Sequence, residues 1–150
     1  MGTPGTGKSC ILALICFYIA INRGYPVLWH RKNEVSSVTY LFHNEMYYQW
    51  DDENSACYNA LYFAMKGQNC WFCLDGLKQP TMQSCGLSNM FKILATSGKY
   101  DVGNDASNSI DMCLVPIWKK DDLQKYGVHS LKVTEADIDA RYYVSGGSFY

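Results

Sequence analysis

The chain has 150 residues, 48% of them hydrophobic and 15% aromatic, which is ample material for one domain with its own core and too much for a disordered segment. Lys and Arg nearly balance Asp and Glu, leaving a net charge of −1, so neither a basic nucleic-acid surface nor a charged interaction tail is legible. The longest apolar run, residues 10–21, is too short to cross a bilayer and lacks the basic flank and cleavage site of a secretory leader; no membrane contact and no targeting signal are expected. The seven cysteines are irregularly spaced and read as reduced thiols. Cys70 and Cys73 form a C-x-x-C inside an apparent strand, where residues three apart face opposite sides and cannot share a metal.

A glycine-rich loop opens the chain and runs into an apolar helix expected over 8–22, stopped by Gly24 and Pro26. Residues 27–31 read as a buried strand, and 38–42 with 46–50 as a hairpin around His43-Asn44-Glu45. Asp51, Asp52 and Glu53 precede a helix expected over 55–66, where its dipole favours acids. Residues 70–74 are a continuous apolar strand ending in Asp75-Gly76. A polar loop with Pro80 and Gly86 leads to a second such strand, 91–95, followed by Thr96 and Ser97. Residues 98–111 read as loop, 112–115 as a short strand, and 119–126 and 134–143 as helices, the last capped by Thr134 with Asp137 three residues on. Alternating strands and helices predict an α/β fold with a mostly parallel sheet.

Gly2-Thr3-Pro4-Gly5-Thr6-Gly7-Lys8-Ser9 meets G-x-x-x-x-G-K-[ST] at every fixed position. Glycines let consecutive N–H groups curl toward phosphates, and the helix that follows adds its positive dipole end. Lys8 is expected on the β and γ phosphates and Ser9 on Mg²⁺; the phosphate-binding run is taken through Cys10. Asp75, at a strand end, matches the position of a Walker B aspartate and is the second expected Mg²⁺ residue. Gly76 follows it where many related ATPases carry a water-polarising glutamate. Thr96, at the end of the next strand, is the candidate γ-phosphate sensor and, with Lys8, the candidate catalytic residue. His30, His43 and His129 are scattered and make no ligand spacing, and the four tryptophans read as core. A P-loop normally joins a buried strand to a helix, yet only Met1 precedes Gly2. The expectation is therefore a single P-loop NTPase-like domain over 1–150, a three-layer sandwich with a small β-hairpin insertion. Its first strand is missing, as in a fragment truncated at the N-terminus.

Seven segments together resemble the P-loop NTPase module of Crinkler effectors of oomycetes and fungi, related to the retrotransposon-hot-spot proteins of trypanosomes. They are 2–9 (GTPGTGKS), 29–33 (WHRKN), 40–43 (YLFH), 71–76 (WFCLDG), 94–97 (LATS), 114–120 (LVPIWKK) and 141–148 (RYYVSGGS). The resemblance implies a nucleotide-binding module of a secreted effector that acts inside a host cell, often in its nucleus, on a host protein it does not name. By position it supports Lys8, Ser9 and Asp75 as nucleotide and metal residues. Where relatives often carry an arginine two residues after Ser-Gly-Gly-Ser, this chain has Tyr150. The expected function is ATP binding with Mg²⁺-dependent hydrolysis. The alternatives are a nucleotide-gated binding module without appreciable hydrolysis and an inactive truncated fragment. A phosphotransferase is disfavoured by only three arginines, Arg23, Arg31 and Arg141.

Overall fold

The structure, a computed structural model, describes residues 7–96, 111, 113 and 119–145. Its centre is a five-stranded mixed sheet: β1 Val27–Lys32, β2 Ser37–His43, β3 Met46–Asp51, β4 Trp71–Asp75 and β5 Ile93–Ala95, in the order β3-β2-β1-β4-β5. β1, β4 and β5 run parallel, and β2 and β3 pair antiparallel. The expected parallel part is thus the β1-β4-β5 half. The expected hairpin insertion is not set apart from it: β2 pairs directly with β1 and continues the same sheet.

Local chemistry explains the two antiparallel turns. Asn33 Oδ1 accepts from the backbone N–H of Val35 at 2.9 Å and of Ser36 at 2.6 Å, an Asx turn that reverses β1 into β2. The β2–β3 turn has two residues, Asn44 and Glu45, at φ of 53° and 60°. Both are left-handed, which matches the twist of a hairpin. Asn44 tolerates that conformation well and Glu45 less so.

Two layers of helix cover the sheet, each reached by alternate strand residues. On one side helix α1, Lys8–Phe17, continues as a π turn over Tyr18–Asn22. Its Leu12, Cys16 and Ile19 pack on Val27, Trp29 and Cys73. Gly24, at φ 66°, supplies the left-handed stop that the sequence marks. On the other side Leu28, Leu41, Phe72 and Leu74 pack against α2, Ala56–Met65, through Tyr58 and Met65, and against α3, Gln79–Ser84, through Met82. Cys70 lies in this second core and Cys73 in the first, so the two thiols face opposite ways as expected.

α3 corrects the polar-loop reading of this stretch. Pro80 sits in the first turn of the helix, where its missing N–H costs nothing and its fixed φ suits the helix. Further along, α4, Lys120–Tyr126, meets α5, Glu135–Ser145, where Lys120 and Gln124 both bond the Asp139 carboxylate at 2.8 Å. Thr134 caps α5 by accepting from the Asp137 N–H at 3.2 Å. Apart from Cys113, which is not in a strand, the expected strand over 112–115 lies outside the described residues, as does nearly all of the loop over 98–111. Among the described residues, no helix is long and apolar enough to cross a membrane.

Candidate functional site

The candidate site lies where the N-terminus of α1 meets the carboxyl ends of parallel strands, the place where open α/β sheets bind ligands. Gly7, at φ 80° and ψ 15°, is the left-handed residue from which α1 departs, and its carbonyl accepts from the Ile11 N–H at 2.9 Å. Gly2, Thr3, Pro4, Gly5 and Thr6 lie outside the described residues. Lys8 and Ser9 follow in the first turn of the helix, and Cys10 is exposed.

Ser9 Oγ donates to Asp75 Oδ1 at 2.8 Å, joining residues 66 apart in the chain. Strand parity makes this possible: Asp75 stands two residues after Cys73, so both face α1. On the neighbouring strand Arg31 is the register partner of Asp75. Its Nε stands 3.4 Å from Asp75 Oδ2, an ion pair without a hydrogen bond, since Oδ2 is buried and has no hydrogen-bond partner. The Asp75 side chain is 2% exposed and that of Arg31 43%. Burial pushes the Asp75 carboxyl above its ordinary value, against the Ser9 bond and the charges of Arg31 and Lys8. Burial likewise lowers the Lys8 ammonium, with the Asp75 charge opposing it. Two cations, Lys8 and Arg31, thus act on one buried carboxylate.

Two neighbours are tied closely to the backbone around the turn after β4. Gly76 has φ +74°, and a Cβ there would meet the Lys32 carbonyl oxygen at 2.0 Å. No L residue fits, so a glutamate after Asp75 is sterically barred in this backbone. Thr96 is buried, and its hydroxyl donates to the Leu77 carbonyl at 3.1 Å. That bond, with Gly76 N–H on the Ala95 carbonyl at 3.0 Å, ties the turn after β4 to the end of β5. Thr96 thus spends its one proton on the backbone.

On the α2 side of the sheet lies a polar cluster that reading the histidines as scattered does not reveal. His30 Nδ1 and Thr39 Oγ1 are 2.8 Å apart, and Thr39 Oγ1 donates to Asp52 Oδ2 at 2.7 Å. His30 Nε2 is 3.1 Å from Ser55 Oγ and 3.3 Å from Ser37 Oγ. Because Thr39 has one proton and gives it to Asp52, His30 must donate from Nδ1, and in its neutral form it accepts at Nε2. Asp52 also accepts from the N–H groups of Cys57 at 3.0 Å and Tyr58 at 2.9 Å. It therefore caps α2, which gives the acids before that helix a specific role. Ser55, His30 and Asp52 have the order of a hydrolase triad, but Ser55 is 2% and His30 0% exposed, so the cluster is a structural clamp.

Arg31 is the site residue that sequence reasoning overlooks. The available signal is that it falls two residues after Trp29 on a buried strand, the parity that faces α1. Among the described residues, no three His, Cys, Asp or Glu side chains gather to hold a metal. Among the described residues, Ser9 and Asp75 are the expected pair that could offer oxygens to a cation. The buried, unbonded Oδ2 and a hydroxyl with spare lone pairs form a hard-oxygen donor set that fits Mg²⁺, which binds through one or two protein oxygens plus phosphates and water. Comparison with protein-family models, with curated proteins and with solved structures finds no match to this chain.

Proposed function

We propose that this chain binds the phosphates of a nucleoside triphosphate, ATP in the first instance, together with Mg²⁺, as the NTPase module of a Crinkler-type effector. The hydrogen bond from Ser9 to Asp75 carries the reading. A P-loop hydroxyl and a strand-end carboxylate, far apart in sequence, meet at 2.8 Å at the start of a helix. Lys8 and the α1 N–H groups bind the phosphates, and Ser9 can coordinate the cation through a lone pair while still donating to Asp75. Mg²⁺, held by Ser9 and Asp75, would offset the negative charge of the phosphates when bound. Secretion, action in a host cell or its nucleus, and a host protein partner rest on the motif resemblance alone.

The steric bar at Gly76 favours a second reading. With a side chain at position 76 barred and the Thr96 hydroxyl bonded to Leu77, these two positions are better suited to holding nucleotide than to orienting water. Losing a positioned base typically costs about 10²–10⁴ in rate. A nucleotide-gated module with slow turnover is the form this predicts.

Titration with a fluorescent ATP analogue and Mg²⁺ tests the binding. Lys8→Ala removes a charge-assisted contact and should weaken affinity on the order of tenfold or more. Equal affinity in the variant would overturn the phosphate site.

A further inference from the structure

Resting on that phosphate-site reading, we infer that Arg31 is a latch on the metal carboxylate. It holds Asp75 in the nucleotide-free chain and passes to a phosphate oxygen when nucleotide arrives, so that the cation enters only with its nucleotide.

Three observations converge on this role. First, Arg31 and Asp75 are paired across β1 and β4 in parallel register, so strand geometry fixes their proximity rather than a floppy surface contact. The preceding residues of that parity, Val27 and Trp29, are core beneath α1. Arg31 stands where that core ends and the site begins. Second, the two carboxylate oxygens differ. Oδ1 takes the Ser9 proton at 2.8 Å, whereas Oδ2 has only the Arg31 charge at 3.4 Å and no hydrogen bond. The oxygen left for a cation is the one that Arg31 guards. Third, the pair is unequal in exposure, 2% for Asp75 against 43% for Arg31. The carboxylate is fixed and the guanidinium can move.

Electrostatics then sets the order of events. A free divalent cation approaching Oδ2 meets a positive charge already beside it, and at a few ångströms in a partly buried site that repulsion is strong. Triphosphate reverses the balance. Its oxygens offer a guanidinium the planar, charge-assisted bonds it makes best. As Arg31 turns to them, Oδ2 is released to the cation held by the same phosphates. Binding of metal and of nucleotide become mutually dependent, and by linkage each must strengthen the other by the same factor. Arg31 acts on the metal through Asp75 and is a positioning residue.

Mn²⁺, which reports its own binding by paramagnetic resonance, serves as the probe with the full chain, with and without a non-hydrolysable ATP analogue. Arg31→Gln should raise the affinity for free Mn²⁺ on the order of tenfold, while weakening the analogue and shrinking the factor by which analogue and Mn²⁺ help each other. Arg31→Lys keeps the charge and should leave free Mn²⁺ binding weak, yet lose affinity for the analogue because the fork is gone. Adding Asp75→Asn to Arg31→Gln should abolish the gain in Mn²⁺ affinity, which shows where the ion sits. If Arg31→Gln folds poorly, Arg31→Met keeps the stem and reads the same gain. Free Mn²⁺ affinity that does not rise in the neutral variants overturns the latch, even if analogue binding falls. Failure of the phosphate site itself is separable: there Lys8→Ala leaves analogue binding unchanged.

Discussion

On the α2 face of the sheet, His30, Ser37, Thr39, Asp52 and Ser55 are each at most 6% exposed, and each meets another of the five within hydrogen-bond distance. On the α1 face, Lys8, Ser9, Arg31 and Asp75 bring three charges and a hydroxyl together and leave one buried carboxylate oxygen without a hydrogen bond. Both clusters contain a buried aspartate that burial raises and partners lower, yet the balance tips in opposite directions. Burial alone would raise Asp52, but bonds from Thr39 and the Tyr58 and Cys57 backbone, together with His30, hold it below its ordinary value. Burial wins at Asp75 and holds it above. A satisfied buried cluster stabilises a fold. An unsatisfied one at strand ends leaves capacity for a ligand.

The sharpest way to break this comparison is to remove each aspartate in turn. Asp52→Ala takes partners from the Thr39 hydroxyl and from two N–H groups of α2. Each orphaned group costs about 1–3 kcal/mol, so a loss of about 3 kcal/mol or more is expected from a total of roughly 5–15 kcal/mol. Urea denaturation measures it, and a loss below about 1 kcal/mol would remove the clamp from the account.

Asp75→Asn should behave in the opposite manner. It deletes a buried charge that its surroundings disfavour, and the charge it strands, Arg31, is half-exposed and can be hydrated. Stability without nucleotide should change by no more than about 1 kcal/mol, with a gain more expected than a loss, as for other sites that trade stability for function. Mg²⁺-dependent nucleotide binding should weaken, while metal-free binding stays nearly intact. A large loss of stability, or unaltered Mg²⁺ dependence, would make Asp75 a structural residue like Asp52.

The two clusters also differ in how far sequence reveals them. Ser9, Lys8 and Asp75 belong to short local patterns that stand out before any fold is known, and the helix behind the loop and the strand before Asp75 are legible from apolar runs. Arg31 and His30 are adjacent residues with opposite fates, one at the site and one in the clamp. Which fate each has depends on strand parity and on register with β4 and β2, long-range pairings that no local pattern encodes. The α3 helix was hidden for a different reason. Pro80 reads as a breaker unless its place in the first turn is known. Ser55 carries a left-handed backbone, φ 57°, that its residue type does not advertise.

The smallest expected effect is on pH dependence, and it isolates the clamp from the site. Burial is the main cause that lowers the His30 imidazole below its ordinary value near 6.5, with the Lys32 charge adding to it and Asp52 opposing. The lowered pKa favours a neutral ring in the fold, with which the Nδ1–H wiring is compatible. A group whose folded pKa lies below its unfolded value gives stability that is full above the unfolded pKa and is lost as pH falls toward the folded one. For His30 this loss begins below about pH 6.5. Asp52 has the same sign but begins only near its own ordinary value of 3.8. Asp75 has the opposite sign: its raised pKa means that stability improves as pH falls and the carboxyl takes up a proton. Thermal melts between about pH 7.5 and about pH 5.5 should thus show a shallow acid decline in Asp75→Asn, where the opposing carboxyl is gone. His30→Gln in the same background should flatten it. Nitrogen NMR of the labelled imidazole provides the direct measurement. The His30 imidazole should titrate with a midpoint below its ordinary value of about 6.5, and a midpoint above that value would mean that the Asp52 charge outweighs burial and that the clamp is an ion pair.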